Sequence, residues 1–188
     1  DYHWLMGDSI MLNFNTDPPS VSDFNRCLRF YNEFAMSDSL GHLLCYACGN
    51  GLGNRSFDLY DSDHNPIVDG RQFSADDYPN SVVIVPLNSR YLIVLQNEFA
   101  SPGWLGLYSL IKIESDSITV LEKNIQYSSG IQGHHVSVTK HANGVDYWIA
   151  VNSLKGESIL IYKIDANRKS IRFINRKSTD CFNEIITT

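Results

Sequence analysis

Basic residues are scarce in this chain: 15 Lys and Arg stand against 21 Asp and Glu, leaving a net charge of −6. Without a basic excess, a nucleic-acid backbone or an anionic membrane surface is excluded as the main partner. Long apolar runs are lacking too. Stretches such as Val82–Val85 and Leu92–Leu95 fall far short of the roughly 20 residues a membrane helix needs. Charged residues make up 19% and hydrophobic ones 43%, which excludes a disordered chain. Alanine (7) and methionine (3) are few, whereas asparagine (16) and serine (21) are many, a mix that favours strands and turns over helices. No window carries apolar residues at i, i+3, i+4 and i+7 over a dozen positions, so helices should be short or absent. The length of 188 residues suits one domain, 1–188, able to bury a core without staples.

Cysteine is sparse as well, with Cys27, Cys45, Cys48 and Cys181. An even count is compatible with an oxidising compartment but fixes no pairing. Cys45-Tyr-Ala-Cys48 has the spacing of a redox motif or half a zinc site. A zinc site needs a second pair, and a redox pair should open a helix, whereas this one ends a strand before Gly49-Asn-Gly-Leu-Gly53. Packed apolar thiols are the expectation. The chain opens at Asp1 with neither Met nor an apolar leader, and reads as a mature or trimmed product.

What the sequence does have is alternation broken by turn residues every eight to twelve positions or so. Arg29–Ser37 leads through Asp38-Ser-Leu-Gly41 into His42–Tyr46; Ser56–Tyr60 leads through Asp61–Pro66 into Ile67-Val68. Ser81–Val85 turns at Pro86–Ser89 into Arg90–Gln96, and Trp104–Ile113 turns at Glu114–Asp116 into Ser117–Glu122. His135–Lys140 turns at His141–Gly144 into Val145–Val151, and Ser158–Ile164 turns at Asp165–Asn167 into Ser170–Asn175. Asn143-Gly144 is the strongest turn signal, and a two-residue primed turn with positive φ at both residues is expected. Tyr91–Leu95 and Ile159–Tyr162 are apolar on both faces and should be central strands covered on both sides.

About fourteen strands exceed one immunoglobulin-like sandwich, and propeller blades use four strands in ~40–45 residues. A β-propeller of about four blades' worth of chain is the preferred reading, with a two-layer β-sandwich as the alternative. Because whole blades should close the ring, the domain is expected to be incomplete, with further blades supplied by the same chain or a partner chain.

Three motifs carry a family resemblance. Trp4-Leu-Met-Gly7 followed by Leu12-Asn-Phe14 and Pro18-Pro19 resembles the "W-x-x-G … I-D-F … P-P" opening of a group of secreted Bacteroidota proteins. Ala35–Gly49 resembles their "A-S-I-x-D-x-x-G-N-L-L-F-Y-T-N-G", and Lys140–Ile149 their "K-H-x-N-G-R-D-W-W-I". Cys45, Cys48 and Val145 stand where that group has an aromatic, Asn and Arg. The resemblance implies an N-terminal β-propeller region, type IX secretion through a C-terminal sorting tail, and a secreted or outer-membrane-associated location. It implies no defined activity.

Candidate sites are few. Asp61, Asp63 and Asn65 have the alternating oxygens that open a calcium loop, but Pro66 stands where Gly is needed and Gln72 where a bidentate Glu belongs, so a solvated hairpin tip is expected. His134 and His135 are adjacent on a strand and point to opposite faces; His141 belongs beside a turn. Neither a Gly-x-Ser-x-Gly elbow nor a fixed carboxylate pair exists, although Asp76, Asp77, Glu98 and Asp146 are available. Trp4, Trp104 and Trp148 could stack on a sugar, yet Trp4 and Trp148 lie in strand motifs and read as core. No catalytic residue, metal or cofactor is assigned. The reading is a non-catalytic surface module for binding, adhesion or assembly with protein or glycan, the alternative being a secreted carbohydrate-active hydrolase.

Overall fold

A computed structural model describes residues 3–6, 10–23, 34–38, 40–49, 56–75, 82–114, 117–128 and 132–178. Among them are fifteen strands and no helix, so the all-β expectation holds. All strand pairs are antiparallel, and the strands follow one another as four successive meanders. The first holds β1 (His3–Met6), β2 (Ile10–Asn13) and β3 (Ser20–Asp23). The second holds β4 (Phe34–Ser37), β5 (Leu43–Gly49), β6 (Ser56–Asp61) and β7 (Phe73–Ser74). The third holds β8 (Val82–Asn88), β9 (Tyr91–Ala100), β10 (Gly103–Ile113) and β11 (Ile118–Gln126), and the fourth β12 (Gln132–Lys140), β13 (Tyr147–Ser153), β14 (Ser158–Asp165) and β15 (Ser170–Ser178). A single pair, Trp104 with Gln132, joins the third and fourth into one eight-stranded sheet, and no sheet of the described strands closes on itself.

Period-two alternation sends side chains to both faces of each meander, and the meanders stack through those faces. Met11 meets Tyr46 and Cys48 between the first and second. Cys45, Ala47, Phe57, Leu59 and Phe73 of the second meet Leu92, Val94 and Ile111 of the third. Ile93, Leu95 and Leu110 on the third meander's other face meet Val136, Ile149, Val151 and Tyr162 of the fourth. Three apolar interfaces therefore separate four sheet layers. The run Leu92-Ile-Val-Leu95 is wholly buried because both of its faces are covered, as its sequence implied.

Several details differ from the sequence reading. Ile159–Tyr162 is covered on one side only: Tyr162 is buried, while Ile159 and Ile161 are half-buried on the side away from the core. Ile67-Val68 does not form a strand. The Ile67 N–H reaches back to the Leu59 carbonyl, Val68 is 76% exposed, and the strand beside β6 is instead β7. Pro86 lies inside β8, which continues to Asn88; an edge strand with a register shift at that point tolerates a missing N–H. The Asn143-Gly144 turn is wider than expected, spanning His141–Asp146, and only Gly144 has positive φ (73°).

Candidate functional site

Among the described residues, a cleft of about 530 Å³ opens at one end of the interface between the second and third meanders. One wall is the connection from β6 to β7. Asp61 builds it, because its Oδ1 accepts the backbone N–H groups of Asp63 (3.0 Å) and Asn65 (2.8 Å). A short acidic side chain that caps its own downstream amides is the reason Asp is favoured at such turns. His64 takes a left-handed φ of 66° at the tip, and its Nδ1 lies 3.2 Å from the Tyr46 hydroxyl. The chain then folds back as Ile67 bonds Leu59 and Leu59 bonds the Gly70 carbonyl (2.6 Å).

The opposite wall is the turn from β10 to β11. The Glu114 N–H donates to the Ser117 carbonyl (2.8 Å), and the Glu114 carboxylate pairs with Lys112 Nζ at 2.6 Å, which holds its pKa below the usual carboxylate range. Ile67 and Ile113 form an apolar floor, and Asp61, Asp63 and Glu114 form the rim. Such a site can receive an apolar group that ends in a cation or a hydrogen-bond donor. The alternating oxygens of Asp61, Asp63 and Asn65 do not converge as a ligand set, because Asp61 Oδ1 is turned onto its own backbone. Among the described residues, no group of three His, Cys, Asp or Glu is placed to hold a metal ion.

The Lys140–Ile149 motif is a second built turn. Asn143 Oδ1 accepts the N–H groups of Val145 and Asp146, and Asn143 Nδ2 donates to Asp146 Oδ2 (2.8 Å). Asp146 Oδ1 accepts the Ala166 N–H, and Oδ2 pairs with Lys163 Nζ at 2.7 Å. These bonds, led by the one from Lys163, hold the Asp146 carboxyl down at about 2. It is therefore an anchor for the β12–β13 and β14–β15 turns, and its low pKa suits it poorly to general-acid chemistry. His141 Nδ1 accepts the Asn143 N–H, and its ring packs 4.9 Å from that of Trp148. Trp148 thus sits half-buried on the outward side of β13, a correction to the core reading; the core positions are its neighbours Ile149 and Val151.

The remaining sequence candidates separate. Cys45 and Cys48, three apart on one strand, point to opposite faces: Cys45 is a free thiol between the second and third meanders, and Cys48 is disulfide-bonded and packs toward the first. They cannot form one redox pair, and burial pushes the Cys45 thiol up to about 12. His134 and His135 both lie on β12, with His135 exposed. Glu98 is half-buried on β9, far along the chain from Asp146. Trp104 sits half-buried against Phe99 at the β9–β10 hairpin, ring centroids 5.4 Å apart. The side chain of Trp4, and Cys27, Gly51–Gly53, Asp76, Asp77 and Cys181, lie outside the described residues.

The sequence reading missed a buried polar bridge. Gln96 Oε1 accepts from Ser109 Oγ (2.6 Å), and Gln96 Nε2 donates to the Ser74 carbonyl and to Asn124 Oδ1. Asn124 also accepts the Ser74 N–H, so one amide side chain ties β7 to β9, β10 and β11. Its only linear signal is a polar Gln at the end of an apolar run.

No family model, curated protein or solved structure matches this chain.

Proposed function

We propose that this chain is a non-catalytic binding module built as part of a secreted or cell-surface β-propeller. The observation that carries the reading is repetition: successive antiparallel meanders stack face to face through apolar layers, and β4, β8 and β12 each open a four-stranded unit. In a propeller each such unit is a blade, and stacked blades leave their connecting turns at the ends as ligand-contacting surface. The disulfide at Cys48 suits an oxidising compartment, in keeping with export.

Binding is favoured over turnover because the well-placed carboxylates are engaged in turns. Asp61 caps backbone, Asp146 pairs with Lys163, and Glu114 pairs with Lys112. The cleft, with an apolar floor and an acidic rim, fits a protein side chain or a glycan rather than a nucleic acid. The test is retention on immobilised polysaccharides and cell-surface protein extracts, measured together with the release of reducing ends. Retention that Asp63→Lys weakens, without release of sugar, is the expected result. Sustained release of reducing ends would overturn the reading in favour of a hydrolase.

A further inference from the structure

The fourth meander carries the sequence of a layer covered on both sides but is covered on only one. In β9, Leu92 to Leu95 all vanish from the surface because neighbours press on both faces. In β14 the equivalent run Ile159-Leu-Ile-Tyr162 buries Tyr162 and leaves Ile159 and Ile161 half-exposed. Register places the outward residues in rows: Ser137, Ala150, Ile161 and Asn175 in one, Trp148, Lys163 and Arg172 in the next, and Ile159 with Lys177 in a third. The result is an aliphatic strip edged by the cations Arg172 and Lys177, with Lys163 already paired to Asp146.

The other end of the stack mirrors this. Met11 points into the core, so Ile10 and Leu12, its neighbours on β2, point away from it. Leu12 pairs with Val21, which is 65% exposed, and Ile10, 41% exposed, pairs with Asp23. The described residues of the first meander include Asp17 and Asp23 and no Lys or Arg, whereas residues 132–178 contain eight Lys and Arg against three Asp and Glu. The two ends are alike in apolar character and opposite in charge.

We propose that the outer face of the fourth meander docks head to tail on the outer face of the first meander of a second copy of this chain. The contact repeats the apolar face-to-face packing already present three times within the stack, with opposite charge setting the pairing and the rate of encounter. Because the two surfaces differ, the contact is heterologous: it closes into a ring of copies or extends into a chain of them. It rests on the stacked faces and not on export or ligand binding, so a monomeric result leaves the binding reading standing.

Native mass spectrometry and sedimentation of the purified chain test it. The 21.3 kDa chain should appear at twice its mass or a higher multiple, with association weakening as salt screens the charged edges. Ile161→Lys and Val21→Lys should each run as monomers. An equimolar mixture of the two should recover a dimer, since each variant keeps the face the other has lost. Circular dichroism checks folding, and Ile159→Lys on the adjoining row replaces Ile161→Lys if that variant does not fold. A wild-type chain that stays monomeric at high concentration overturns the proposal, whether its ends cover each other or await a different protein. So does a mixture that fails to recover the dimer.

Discussion

Asp146 Oδ2 lies 2.7 Å from Lys163 Nζ, and this contact ties the turn after β12 to the strand before the last turn of the same meander. The folded carboxyl, at about 2, lies below its ordinary value of 3.8. A folded pKa below the unfolded one contributes stability that is fully present above the unfolded value and is lost as pH falls toward 2. Asp146→Asn should therefore lower the melting temperature at neutral pH and flatten its fall between about pH 4 and pH 2. Melts of both proteins across that window check it; parallel pH profiles would rule the linkage out.

Phe57 stacks on Phe73 with centroids 5.1 Å apart and meets Phe34 edge-on at 6.1 Å, all between the second and third meanders. Phe57→Ala opens a cavity in that layer and should cost about 3–5 kcal/mol, as for other buried Phe deletions. The midpoint of denaturant unfolding reads this directly.

Asn124 meets two demands at once. It holds a left-handed φ of 54°, and its Oδ1 accepts from both Ser74 and Gln96. Replacing it by Gly loses the hydrogen bonds but keeps the backbone at ease, whereas Ala loses both. Asn124→Ala should be the more destabilising of the two by about 1 kcal/mol, the usual cost of a left-handed non-glycine residue. Thermal unfolding of the pair gives the order, and equal losses would refute the backbone part of the argument.

Two glycines should behave differently for steric reasons. A Cβ on Gly106 would lie 2.5 Å from Tyr127 Cζ and 2.7 Å from Gln132 Nε2, inside a buried layer with little room to yield. A Cβ on Gly144 meets nothing within 4 Å and carries only the strain of φ 73°. Gly106→Ala should therefore cost more than Gly144→Ala, for which about 1–2 kcal/mol is expected. Unfolding midpoints measured side by side decide it.

Much of the strand order was legible because alternation and turn chemistry are local. Asp38 announces its turn since its Oδ1 accepts the N–H groups of Leu40 and His42, and Gly41 takes the φ of 88° that the chain reversal requires. Which face of a strand would be covered was not legible, because Tyr91–Leu95 and Ile159–Tyr162 look alike in sequence and differ only in their neighbours. Ile67-Val68 misled for a related reason: a β-branched pair after a turn reads as a strand, and the Ile67–Leu59 bond that folds it back is set by Gly70 and the following loop. Of the candidate cleft, only the Asp61 wall could be read. Glu114 comes from a separate hairpin, and nothing in linear order brings residues 61 and 114 together.

The position of Cys45 turns the chain into its own gauge of mechanical integrity. A thiol reagent can reach that sulfur only when the second and third meanders part, because the side chain is 1% exposed and sits in the layer between them. With closing fast relative to labelling, the observed rate divided by that of a free thiol gives the equilibrium constant for this one separation, apart from global unfolding. A labelling time course across denaturant concentrations would show whether the layers come apart one at a time or only together.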